Sequence, residues 1–156
     1  MQLSVVIITK NEAHIIGTTL QSLQGITDDI TIVDSGSTDN TIEICKSFGA
    51  KIIATSWDGY GPNKNKGIAA AKYNWILNLD ADEAVDAELK AAIMQLNNTD
   101  ENTVYKCTFK NFFCNKWIRY GEWAGDKHVR LFNRNTVTWN SAAVHEGLTI
   151  DRKSVV

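Results

Sequence analysis

Between residues 3 and 96 the hydrophobic period of the chain switches back and forth between two values. LSVVII (3–8) is continuous and β-branched, the pattern of a strand covered on both faces. HIIGTTLQSL (14–23) then places Ile15, Ile16, Thr19, Leu20 and Leu23 at helical spacing. The alternation repeats. A strand is expected over 29–34, then a helix over 37–49 with Ser37 or Thr38 as N-cap and Gly49 as its stop. A strand over 50–55 and a helix over 63–72 follow, then a strand over 74–80 and a helix over 87–96 capped by Asp86. Strands that alternate with helices need crossover connections, so the expectation is an α/β fold: a mostly parallel sheet flanked by helices.

Ligands bind to such sheets beyond the carboxyl ends of the strands, near the point where strand order reverses. The polar clusters fall there. Thr9-Lys10-Asn11-Glu12 follows the first strand, Asp34-Ser35-Gly36-Ser37 the second, and Asp80-Ala81-Asp82-Glu83 the fourth. All three are expected on one edge of the sheet. After residue 97 the pattern changes to loosely alternating, antiparallel-type segments around 103–113, 127–134 and 136–150, with an aromatic loop at 114–125. In 127–134, His128, Arg130 and Phe132 should share one face, and Val129 and Leu131 the other.

The totals exclude several classes. With 16 basic and 18 acidic residues in 156, the net charge of −2 gives no phosphate-backbone footprint, so nucleic acid is not an expected partner. No apolar run approaches a membrane span, the start reads as a strand rather than a signal peptide, and three cysteines without a CxxC suit free thiols. The expectation is a cytoplasmic, single-domain protein.

The acidic cluster has two readings. A DxD at a strand end presents carboxylates to a hard cation such as Mg²⁺ or Mn²⁺, which commonly holds substrate phosphates as well. Alternatively, the acids are a solvated turn favouring the positive end of the next helix. In IVDSGSTDNT, Asp34 and Asp39 either accept hydrogen bonds from a ligand or satisfy turn amides. Asn11 is either part of a ligand edge or a helix cap. Arg130 could meet a diphosphate or be a paired arginine on a sheet face. Trp117, Tyr120 and Trp123 could stack against sugar rings or fill a small core.

Taken in order, VVIITKNEA, IVDSGSTDNT, NKNKG and WILNLDADE resemble the motif set of inverting glycosyltransferases of family 2, whose architecture is the GT-A fold. HVRLFNR and VHEGL look most like the branch that includes lipopolysaccharide core β-1,4-glucosyltransferases. The resemblance implies a UDP-sugar donor and a glycan or lipid-linked saccharide acceptor, with peripheral membrane association at the inner face of the cytoplasmic membrane. By position, it implies that Asp34 holds uracil or ribose, in a pocket shaped by Thr9, Asn11 and Glu12. Lys64 would lie near the nucleotide, Asp80 near the ribose, and Arg130 near diphosphate or acceptor. Asp82 would coordinate the divalent cation, Mg or Mn, with His145 as a further ligand. Glu146 would be the base that deprotonates the acceptor hydroxyl.

Members of this branch run longer than 156 residues. The chain is therefore expected to be one domain truncated at its C-terminal end, with residues 1–97 as the nucleotide-sugar half and 98–156 on the acceptor side. The alternative is a non-catalytic or inactive nucleotide-sugar-binding module. A nucleotidyltransferase would want a Gly-rich loop after strand one, and an aspartyl phosphatase would want its DxD there.

Overall fold

The computed structural model describes all residues except 98–99, 115, 119, 121–124, 142–146, 151–153 and 156. The elements run β1 (Leu3–Thr9), α1 (Ile16–Ser22), β2 (Ile30–Asp34), α2 (Thr41–Ser47), β3 (Lys51–Ala54), α3 (Tyr60–Ala70), β4 (Trp75–Asp80) and α4 (Ala87–Gln95). Then come β5 (Thr103–Thr108), β6 (Phe112–Phe113), β7 (Lys116–Trp117), β8 (Lys127–Asn133), β9 (Val137–Trp139), β10 (Leu148–Ile150) and β11 (Ser154–Val155). One sheet has the order β11-β5-β8-β4-β1-β2-β3, while β9–β10 and β6–β7 form separate two-stranded pairs. β3, β2, β1 and β4 are mutually parallel, and β8 is antiparallel to both β4 and β5.

Strand β1 explains the continuous apolar run. All seven of its residues are buried, and its side chains alternate between two cores. Leu3, Val5 and Ile7 pack with Ile16, Leu20 and Leu23 of the α1 region, Ile32 of β2 and Ile93 of α4. Val6 points the other way, into a core with Ile68 of α3, Ile76 of β4, Phe132 of β8 and Trp139 of β9. A sheet covered on both faces leaves no polar stripe to read.

Element boundaries differ from expectation in three instructive places. Helix α3 begins at Tyr60 rather than Asn63, because Gly59 enters it with φ of 108° and Pro62 sits in the first turn, where a missing N–H costs nothing. Helix α2 is preceded by Asn40 rather than by Ser37 or Thr38. Those two residues are otherwise engaged: the Ser37 hydroxyl donates to Asp34, and the Thr38 amide donates to Asn11 Oδ1 at 2.7 Å. Asp86 caps α4 as expected, its Oδ1 accepting from the Leu89 amide at 2.8 Å.

The third difference lies in β8. Tyr105 pairs with Leu131 but Lys106 pairs with Val129, so Arg130 is an extra residue, a β-bulge. The expected alternation therefore breaks. Leu131 enters the first core, whereas Val129 packs with Phe132 against the second.

Gly67 shows how closely α3 sits on the sheet. A Cβ there would lie 2.4 Å from Val6 Cγ1 and 2.8 Å from Val33 Cγ2. Alanine would gain helix propensity, about 1 kcal/mol, but would overpack the interface, which costs about 1–3 kcal/mol. Gly67→Ala is expected to lower stability on balance, read as a reduced midpoint in urea denaturation.

Candidate functional site

The strand order β3-β2-β1-β4 reverses between β1 and β4: the chain leaves β1 toward β2 and returns to the opposite edge of β1 as β4. The loops at the carboxyl ends of two such strands diverge and leave a crevice. A cleft of about 520 Å³ opens there, lined by Ile8, Thr9, Lys10 and Glu12 after β1, Trp57 and Tyr60 before and at the start of α3, and Asp80, Ala81 and Asp82 after β4. Thr9 is only 6% exposed, yet its Oγ1 has no hydrogen-bond partner among the described residues. A buried hydroxyl without a partner on the wall of a cleft is a polar group waiting for one.

The β4 end is a tight turn. The Glu83 amide donates to the Asp80 carbonyl at 3.1 Å, and the Asp80 amide donates back to Glu83 Oε2 at 3.0 Å. The Ala81 carbonyl is pinned from below by the Thr19 hydroxyl at 2.7 Å. Asp82, at the tip, is exposed on the cleft. The two carboxylates of the DxD thus have different surroundings. Asp80 lies between two cations: Lys64 Nζ stands 3.3 Å from Oδ1, an ion-pair contact whose angle falls short of a hydrogen bond, and Arg130 Nη2 donates to Oδ2 at 3.0 Å. Arg130 also grips Glu83 through Nε at 2.9 Å and through Nη2, with its guanidinium 5.3 Å from the centre of the Phe109 ring. Burial works against the Arg130 charge, but the hydrogen bonds and charge of Glu83, with the charge of Asp80, outweigh it and hold the guanidinium above its ordinary value.

Lys64, expected near a nucleotide, is 1% exposed beneath the cleft, paired with Asp80 and lying 4.4 Å from the centre of the Trp139 ring. Arg130, expected near diphosphate or acceptor, does not line the cleft. Its bulge turns it inward to Asp80 and Glu83, the paired-arginine alternative.

Asp34 sits beside Thr9 in the β1–β2 register and is buried. Its Oδ2 accepts from the Gly36 and Ser37 amides at 3.0 and 2.9 Å, and Oδ1 accepts from the Ser37 hydroxyl. A carboxylate has about four acceptor sites, so most of its capacity serves its own turn, and it does not line the cleft. Asn11, with φ of 56°, is a staple between loops rather than a helix cap: its amide donates to Ser37 Oγ and its Oδ1 receives the Thr38 amide. Thr9, Glu12, Asp80 and Asp82 are brought together; Asn11, Asp34, Lys64 and Arg130 stand behind them. Glu146, His145 and Trp123 lie outside the described residues. Trp117 and Tyr120 are exposed, at 44% and 87%, so neither plugs a core.

Sequence reasoning put Lys10 on the ligand edge without giving it a role, and passed over Trp57 and Tyr60. The two aromatics are about half exposed and meet edge to face, with ring centres 4.8 Å apart. Their loop is held by Lys66, whose Nζ bonds Thr55 Oγ1 and Asp58, and by buried Asn63, which accepts from the Asp58 amide and donates to Ser35. Two aromatics just ahead of the Gly61-Pro62 pair in the first turn of α3 were the available signal.

A protein-family model described as glycosyl transferase family 2 matches residues 4–155. The chain belongs to glycosyl transferase family 2. This family 2 chain is 40% identical over 108 residues to an uncharacterised glycosyltransferase of Rickettsia bellii, covering 67% of this chain and 37% of that protein. It is 29% identical over 159 residues to the lipopolysaccharide core biosynthesis glycosyltransferase LpsC of Rhizobium meliloti, covering 95% of this chain and 57% of LpsC. The chain therefore spans little more than a third of the length of the Rickettsia relative. Among solved structures, residues 1–349 of S. aureus TarS in complex with UDP-GlcNAc superpose with a TM-score of 0.53 at 27% identity, over 60% of this chain and 30% of that fragment. Glucosyl-3-phosphoglycerate synthase of Mycobacterium tuberculosis bound to UDP gives 0.57 at 22% identity over 71% of this chain and 45% of that one, a likeness of fold alone. The fold is that of the GT-A glycosyltransferases.

Lys64 is the residue whose loss the site should feel most in stability. Lys64→Met would leave Asp80 Oδ1 against an apolar group. Breaking a buried pair costs about 3–5 kcal/mol, and because Asp80 is 35% exposed the expected loss lies at the low end. Urea denaturation measures it; a change within error would show that the ion pair contributes nothing.

Proposed function

We propose that this chain carries the donor site of an inverting, metal-dependent glycosyltransferase that takes a UDP-sugar. The observation that carries the reading is Asp82. It is a carboxylate held clear of every described ion pair, at the tip of a rigid turn, on the switch-point cleft of a family 2 chain. The complexes of TarS with UDP and with UDP-GlcNAc support a uridine diphosphate donor.

The residues fit a shared cation rather than a protein cage. Among the described residues no three His, Cys, Asp or Glu side chains gather around one point, and Asp80 is committed to Lys64 and Arg130. Mg²⁺ characteristically takes one or two carboxylates and completes its shell with water and substrate phosphates. Asp82 would hold it, with His145 as the further ligand. Bound there, the cation would neutralise charge building on the departing diphosphate.

The chain's own groups do the rest. The Thr9 hydroxyl takes a polar atom of the nucleoside, helped by Glu12, while Asp34 and Asn11 keep the two loops in register. Lys10, exposed on the cleft, brings a mobile positive charge to the phosphates. Trp57 and Tyr60 offer apolar ring faces. Glu146 takes the proton from the acceptor hydroxyl as that oxygen bonds to the anomeric carbon. The sugar–phosphate bond breaks on the opposite face, and UDP leaves with the electron pair, which inverts the centre. The likeness to LpsC favours a saccharide acceptor of lipopolysaccharide core type, and no described helix is long and apolar enough to cross a membrane.

A second reading is a nucleotide-sugar-binding module without turnover.

UDP with Mn²⁺ is expected to raise the melting temperature of the wild-type chain by linkage, and Asp82→Ala to remove most of that rise. A wild-type chain indifferent to both in calorimetry would end the donor-site reading. Glu146→Gln is expected to lower transfer or hydrolysis of a UDP-sugar by about 10²–10⁴ while leaving UDP binding intact. Binding without turnover in the wild type would leave the module reading standing instead.

A further inference from the structure

We propose that Glu83 and Arg130 form a positioning clamp that fixes the Asp80–Glu83 turn, so that Asp82 alone of the DxD meets the cation. The inference rests on the reading of Asp82 as the cation ligand.

Four charged side chains lie in a row: Lys64, Asp80, Arg130 and Glu83. Two of the four are cations and two are anions, and Asp82 is the carboxylate of the turn that enters no described ion pair. Such a row is a poor device for stability. Two cations, each about nine-tenths or more buried, have lost their hydration, and apolar side chains of like volume commonly hold a fold as well or better. The row does provide direction. Glu83 contacts Arg130 through two guanidinium nitrogens while its Oε2 also accepts the Asp80 amide. One carboxylate therefore links the strand end, the turn and the bulge.

The bulge supplies the geometry. Without the extra residue in β8, position 130 would follow the strand's alternation; with it, the neighbours Val129 and Leu131 enter opposite cores and Arg130 reaches the turn. Bulges re-aim side chains beside active sites. All three residues 80–82 line the cleft, but Ala81 is held below by Thr19 and Asp80 laterally by Lys64, which leaves Asp82 as the tip of the turn. Glu83 and Arg130 thus act through Asp82 and touch no substrate. A planar fork is needed for the double grip, which lysine cannot reproduce.

The test measures Mn²⁺ binding to the 156-residue chain in the presence of UDP, by electron paramagnetic resonance of the free ion. Amide exchange of residues 80–83 in the metal-free chain is followed in parallel. Glu83→Gln is expected to weaken Mn²⁺ binding by about 10–100-fold, to speed exchange at Glu83, and to leave metal-free UDP affinity and circular dichroism unchanged. Arg130→Lys should do the same, and the double variant should be little worse than either, because the two residues form one unit. Should Glu83→Gln fail to fold, Arg130→Lys, which keeps the charge beside Asp80, decides the matter. Folded variants that bind Mn²⁺ as the wild type does would overturn the clamp and leave the donor site standing. A wild-type chain that binds neither UDP nor Mn²⁺ would overturn both.

Discussion

Strand β1 is hydrogen-bonded along both edges, to β2 and to β4, and covered on both faces. The rest of the molecule follows from that double enclosure. A strand buried this way has only its ends free to be polar, so the chain emerges into water at Lys10, one residue past buried Thr9. Because β2 and β4 run parallel to β1, their polar ends arrive at the same edge. The pairing of Ile8 with Asp80 on one side and of Thr9 with Asp34 on the other fixes how close those ends stand. The cleft is a consequence of the ladder.

Charge then separates residues that look alike in the sequence. Asp80 and Asp82 are two positions apart, but a strand end gives way to a turn between them. Both line the cleft, but Asp80, at the strand end, is neutralised by buried Lys64 from α3 and Arg130 from β8, whereas Asp82 enters no described ion pair. Asp34 and Asp39 resemble ligand carboxylates, yet both accept bonds from their own loops, and hydrogen bonding to Thr41 holds the Asp39 carboxyl below its usual range. The cations tell the same story. Lys64 and Arg130 are buried partners of carboxylates, while Lys10 remains exposed on the cleft, so the positive charge available to a phosphate group comes from the residue with the least structural work.

Much of the candidate site could be read without coordinates. The period switches gave the strand–helix order, and the strand ends gave the three polar clusters. What failed did so for local reasons. The start of α3 was hidden because Gly59, Gly61 and Pro62 read as a loop, although a proline is comfortable in a first helical turn. The faces of β8 were misjudged because an alternation argument assumes no inserted residue, and the bulge at Arg130 has no sequence mark. Trp57 and Tyr60 were passed over because an aromatic is usually core, and only exposure distinguishes a core ring from one on a cleft wall.

The sequence by itself settled the architecture and which end of the sheet carries the polar residues, since both depend on the period of hydrophobicity and on where each apolar run stops. It also settled the family, through the order and spacing of its motifs. Only the tertiary structure decided which acids and bases cancel one another. Charge pairing depends on distances between residues far apart in the chain: Lys64 with Asp80, and Arg130 with Glu83, which lies 47 positions away. Such distances are set by how helix and strand pack across the sheet, and no local pattern encodes them.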